Sequence, residues 1–121
     1  MKLRFTALSL LLVLLAFNRS SAMERAEELA WKCTAEVNSP KEASGQIHCA
    51  SYIGGVLDAY SVISDLHPQA KFICLPETGI SADQAINIFL KWVKDHPDKQ
   101  HLPARSAVLM SLRDAFPCRK K

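Results

Sequence analysis

Residues 49–63 read CASYIGGVLDAYSVI, and the spacing of their apolar side chains decides the fold class. Cys49, Ile53, Val56, Tyr60 and Ile63 fall at i, i+4, i+7, i+11 and i+14, which is one stripe along a helix. The spacing predicts a helix lying somewhere within residues 41–66. Gly54-Gly55 sits inside it, and each mid-helix glycine costs about 1 kcal/mol relative to alanine. A glycine pair there marks either a break between two shorter helices or the close approach of a neighbouring helix. The apolar period runs through the pair without a change of phase, so close approach is the expectation.

Working outward, residues 24–37 are dominated by Ala, Glu, Leu, Lys and Trp and hold no Gly or Pro. They read as a first helix, with Leu29 and Cys33 on one face. Asn38-Ser39-Pro40 ends it, because a residue before proline is pushed out of the helical region. On the other side, residues 66–80 contain His67-Pro68, Cys74-Leu75-Pro76 and Gly79 and read as loop, with a short extended piece at 71–74. Ser81 and Gln84 stand at the spacing of a capping box and open a third helix. That helix carries Ile86, Phe89, Leu90 and Val93 on one face and Ala85, Ile88 and Trp92 on another. A helix so widely apolar is either central to the core or partly covered by a partner.

A polar connection at 95–102, holding His96-Pro97 and His101, leads to Pro103, which suits a helix's first turn. Val108, Leu112 and Ala115 give the fourth helix its stripe, and Phe116-Pro117-Cys118 closes it. The predicted fold is all-α, a compact bundle of four to five helices formed by residues 23–121. Trp31, Tyr52, Tyr60, Phe72, Phe89, Trp92 and Phe116 are expected in the core, and Trp92 is the best interface candidate among them.

The first 22 residues read as a secretory signal. Lys2 and Arg4 form a positive start, residues 5–17 are apolar apart from Thr6 and Ser9, and Ser20-Ser21-Ala22 supplies small residues for a cut after Ala22. The apolar run is short of the roughly 20 residues that span a bilayer. Export followed by cleavage is therefore expected, with no membrane attachment afterwards. The whole chain carries a formal charge of +3. Removing Lys2, Arg4 and Arg19 with the signal leaves 12 basic and 12 acidic residues, and no basic stripe of the kind a nucleic-acid binder needs.

Cys33, Cys49, Cys74 and Cys118 form an even set downstream of a signal, which reads as two disulfides. Four cysteines allow three connectivities, and spacing does not choose among them. The pairing expected is Cys33–Cys49, across the Pro40 turn, with Cys74–Cys118, from the loop before the third helix to the chain end. Gaps of 16, 25 and 44 residues do not match a four-cysteine zinc site. A Cys–His hydrolase centre, such as Cys49 with His101, would need a free thiolate. Asp95, His96, Asp98 and His101 flank a proline in a polar connection and match no ligand template. No nucleophile elbow, phosphate loop, HExxH or paired-carboxylate signature is present. The expectation is a protein that is not an enzyme and uses no cofactor. The alternatives are an exported structural or stress-related helical module, or a periplasmic enzyme or metal-binding protein using His96, His101 and nearby acids.

Several residues in order add to this reading: Cys49-x-x-Tyr52-x-x-Gly55-x-x-Asp58, Cys74-Leu75-Pro76, Gln84 within a helix, His96-Pro97, and Phe116-Pro117-Cys118. Over residues 29–118 the chain resembles the Rap/Tai-type periplasmic immunity proteins of type VI secretion, which neutralise peptidoglycan amidase effectors. The resemblance implies an all-helical, disulfide-bonded periplasmic protein that tends to form homodimers. It also implies inhibition by inserting a surface element into the amidase's catalytic groove. Cys49, Cys74 and Cys118 would be bridged, Gly55 would allow helix contact, and Pro76 and Pro117 would shape turns. The resemblance carries no partner-contact residue over to this chain. Binding residues concentrate on loops held by rigid scaffolds, so the contact surface is expected in the 67–81 loop or the 95–102 connection.

Overall fold

The computed structural model describes residues 23–36 and 38–119. The expected export signal lies outside the described residues. Among the described residues four α-helices follow one another: α1 (Ala26–Thr34), α2 (Pro40–Leu66), α3 (Ala82–Asp95) and α4 (Ala104–Ala115). Single turns of 3-10 helix at Pro68–Ala70 and Pro97–Lys99 begin the connections after α2 and α3.

Each helix starts where its sequence provides a start. The Glu28 carboxylate accepts the Arg25 backbone N–H at 2.9 Å and also holds the Arg25 guanidinium. Glu27 and Glu28 in the first turn and Lys32 in the last suit the α1 dipole. Ser39 caps α2, its hydroxyl accepting the Glu42 N–H at 3.3 Å, with Pro40 in the first turn. Ser81 caps α3 in the same way, accepting from Gln84 N–H at 3.1 Å. α1 ends at Thr34, earlier than the expected residue 37.

The core draws on every helix: Leu29 from α1, Cys49, Ile53 and Tyr60 from α2, Phe89, Trp92 and Val93 from α3, and Val108 and Leu112 from α4. α3 touches all three other helices, so its wide apolar surface is spent inside the molecule. Cys33–Cys49 joins α1 to α2, with Cα atoms 5.2 Å apart. Cys74–Cys118 joins the loop before α3 to the chain end after α4, at 5.0 Å. Both are the expected pairings.

Three expectations need correction. α2 runs unbroken through Gly54-Gly55, and a Cβ added at either glycine would meet nothing within 4 Å. No helix of the bundle approaches there. The close approach lies at Gly45 instead, where an added Cβ would stand 3.6 Å from the Lys32 carbonyl oxygen. Second, the buried stripe of α2 does not end on Ile63, which is exposed, but shifts to Ser64. Third, Trp31 and Phe72 are not core residues; Trp31 is 66% exposed. Trp92, by contrast, is buried in the core as expected. Its indole N–H donates to Asp114 at 2.9 Å and its ring stacks on His96.

Candidate partner-binding surface

Two connections were expected to carry contacts, and they are built differently. Residues 67–81 begin at His67, whose N–H closes α2 on the Ile63 carbonyl. The middle of the loop is clamped from three sides. The Tyr60 hydroxyl, buried on α2, accepts the N–H groups of Phe72 and Ile73, both at 2.8 Å. Ile73 is itself buried and pairs as an isolated bridge with Pro117. Cys74 N–H donates to the Phe116 carbonyl at 2.9 Å, beside the Cys74–Cys118 bond. Phe72 leans edge-on against the Tyr60 ring, centroids 5.0 Å apart.

Beyond this clamp the chain leaves the core and returns within a few residues. Leu75 and Ile80 pack against the core at either foot. Between them Pro76, Glu77, Thr78 and Gly79 are all exposed. Gly79 N–H closes a turn on the Pro76 carbonyl at 2.8 Å, and Gly79 has φ +71°, a conformation other side chains rarely adopt. The result is a narrow tip on rigid feet.

The 95–102 connection is occupied with internal work. Its Leu102 and Gln100 carbonyls accept the first N–H groups of α1, from Ala26 at 2.8 Å and Glu27 at 3.1 Å. His96 Nδ1 lies 2.8 Å from the Trp92 carbonyl oxygen, and Lys99 stands over the Trp92 ring. Asp98 and His101 face outward.

A third feature, which sequence reasoning missed, lies between α1 and α2. Glu24, mostly buried, receives hydrogen bonds from Lys32 and from His48 Nε2. Burial pushes its carboxyl up, but these two partners and their charges outweigh it and hold it below the ordinary value of 4.5. Trp31 stands exposed beside this cluster. Asp114 is held low likewise, first by the Trp92 N–H and then by Arg113.

The outer side of α2 was missed as well. Ile47, Val62 and Leu66 are each more than half exposed there. The signal existed in the sequence: Ile47, Ser51, Gly54, Asp58 and Val62 form their own helical line, opposite the Cys49 stripe.

The remaining candidates resolve as follows. All four cysteines are in disulfides. Tyr52 is half-buried beside His48, and Asp58 is exposed. Among the described residues, no three His, Cys, Asp or Glu side chains come together as a metal site. Among them too, no helix is long and apolar enough to cross a membrane.

No curated protein and no solved structure matches the chain. A family model does: that of the Rap1a immunity proteins, over residues 25–118. That span covers all four helices, both disulfides and both connections. The chain belongs to the Rap1a immunity protein family.

Proposed function

We propose that this protein is exported to the periplasm, cut after Ala22, and there binds and occludes a peptidoglycan amidase effector delivered by type VI secretion. Membership of the immunity family is the observation that carries this reading. Two disulfides suit an oxidising compartment. A cut after Ala22 leaves the fold intact, because Glu24 onward is tied in: the Glu24 carbonyl accepts the Ala104 N–H at 2.8 Å. The homodimer that the resemblance implies belongs to the same reading.

Occlusion of a groove needs a projecting element that does not lose much freedom on binding. The 76–79 tip suits this, because both feet and the clamp behind them are already ordered. We therefore place the contact with the amidase on the tip, in preference to the 95–102 connection, whose polar groups are engaged inside the fold. The protein should inhibit a small Cys–His amidase captured from lysates of the source bacterium or its relatives. Glu77→Ala/Thr78→Ala should weaken that inhibition while leaving the melting temperature unchanged. Full inhibition by the double variant would remove the tip from the interface. Capture of no amidase at all would remove the immunity reading of this copy. N-terminal sequencing of the periplasmic protein tests the cut, which should expose Met23.

A further inference from the structure

The two disulfides sit in opposite surroundings. Cys49 is 1% exposed, and Cys33 packs against the core with it. Both belong to helices, Cys33 to α1 and Cys49 to α2, and these helices cross one turn away, where Gly45 meets Lys32. A thiolate must reach a sulfur to attack it, and the packing around Cys49 stands in the way. Sulfurs held on two packed helices would also stay side by side after a cut and re-form their bond. Cys74 is exposed and Cys118 half-buried, and neither packs against the core. Cys74 lies in a loop and Cys118 in the tail after α4, so no helix holds either one. Arg119 follows Cys118 directly, exposed and in no ion pair among the described residues.

We propose that Cys74–Cys118 is a thiol–disulfide exchange site, opened by a dithiol while the helical bundle and Cys33–Cys49 stay intact. A thiolate of the dithiol attacks Sγ of Cys74, the exposed partner. A bond forms between that sulfur and Cys74 as the Cys74–Cys118 bond breaks, and Cys118 leaves as a thiolate and takes up a proton. The dithiol's second sulfur then attacks its first and releases Cys74, which is protonated in turn. The dithiol is oxidised to a disulfide, two electrons pass to the protein, and two protons end on Cys74 and Cys118. Charge supports the same direction as access. A thiol of lower pKa leaves faster, and a neighbouring arginine lowers a thiol's pKa. Exposed disulfides are the labile, regulatory ones, and access sets the order of opening even though the longer loop makes this bond the greater contributor to stability. Opening it unties the chain end from the loop behind the 76–79 tip. The Tyr60 hydroxyl still holds the Phe72 and Ile73 N–H groups, so the loop stays docked at its middle and gains freedom beyond it. Control of inhibition by this bond rests on the immunity reading; the exchange site itself does not.

The full chain, expressed in a bacterial host and recovered oxidised from the periplasmic extract, is treated with dithiothreitol under native conditions. Samples are quenched in acid, alkylated, and mapped by peptide mass spectrometry. Cys74 and Cys118 should become labelled together, at least about tenfold faster than Cys33 and Cys49. Far-UV circular dichroism should be unchanged when that first pair is fully labelled. Glutathione in place of dithiothreitol should leave a mixed disulfide on Cys74 and not on Cys118. Arg119→Glu, an exposed position outside every helix, should slow the reduction by roughly threefold or more without moving the melting temperature. Labelling of both pairs at one rate, or helicity lost in step with labelling, would show that the bond opens only by unfolding and would overturn the proposal. Glutathione on Cys118, or a rate indifferent to Arg119→Glu, would overturn the direction of attack. Amidase inhibition is not part of the readout, so these results separate from any failure of the immunity reading.

Discussion

The Tyr60 hydroxyl shows how much one atom can organise. It accepts two backbone N–H groups from a loop twelve residues away, and a phenyl ring of the same shape cannot replace it. Tyr60→Phe leaves those donors without a partner, which costs about 1–3 kcal/mol. Denaturant unfolding should show the loss, and hydrogen exchange should quicken at the Phe72 and Ile73 amides. Unchanged exchange there would mean the disulfide alone holds the loop. Glu24 is a second case. Its folded-state value lies below the ordinary 4.5, so in acid the unfolded chain binds more protons than the native one. Its contribution is present above the ordinary value and is lost as pH falls through the lowered one. Glu24→Gln should cost about 1 kcal/mol at neutral pH. It should also make the drop in melting temperature as pH falls below the ordinary carboxyl value of 4.5 shallower than in wild type. An identical acid limb would assign that drop to other carboxyls, Asp114 among them.

At the scale of elements, the two disulfides do different work because they close different lengths of chain. Cys33–Cys49 closes 16 residues and Cys74–Cys118 closes 44, which the chain-entropy model values at roughly 3 and 4 kcal/mol. Urea unfolding of Cys33→Ser/Cys49→Ser and Cys74→Ser/Cys118→Ser should show the larger loss for the second pair. The second pair should also lose the proposed amidase inhibition out of proportion to stability, since it frees the loop behind the 76–79 tip. Equal inhibition by both variants, measured where both are folded, would separate the tip from binding. The exposed α1 side chain gives a contrast: Trp31→Ala should change stability by less than about 0.5 kcal/mol, as surface substitutions do. A large loss in thermal unfolding would show that Trp31 packs more closely than its exposure implies.

At the scale of the whole molecule, much was legible in local pattern. Caps, prolines and apolar periods placed four helices, because each signal acts within a turn or two of chain. Ser39-Pro40 and Ser81 start helices where the sequence says they should. The cysteine count and the expected leader pointed to two bridges, and the structure pairs them as Cys33–Cys49 and Cys74–Cys118. The ordered set from Cys49 to Cys118 pointed to the immunity family, which the family match over 25–118 shows. What failed concerned which face of an element meets which neighbour. Trp31 and Trp92 look alike in sequence, and α1 and α3 each touch every other helix, but Trp31 stands on the solvent side of α1 while Trp92 lies on a side of α3 that meets Asp114 of α4, so one indole is exposed and the other buried. The glycine pair read as a helix contact because periodicity reports a continuous helix and not the location of its neighbours; the crossing lies at Gly45. The 67–81 loop looked irregular from its prolines. Its rigidity comes from Tyr60, Phe116 and Cys118, which are remote in sequence. By itself, then, the sequence determined the helices, the even cysteine set and the family, because those rest on short-range geometry and on residues in order. Only the tertiary structure decided what is buried, what is clamped and which face of α2 stands open, because burial is a property of neighbours that the chain brings together by folding.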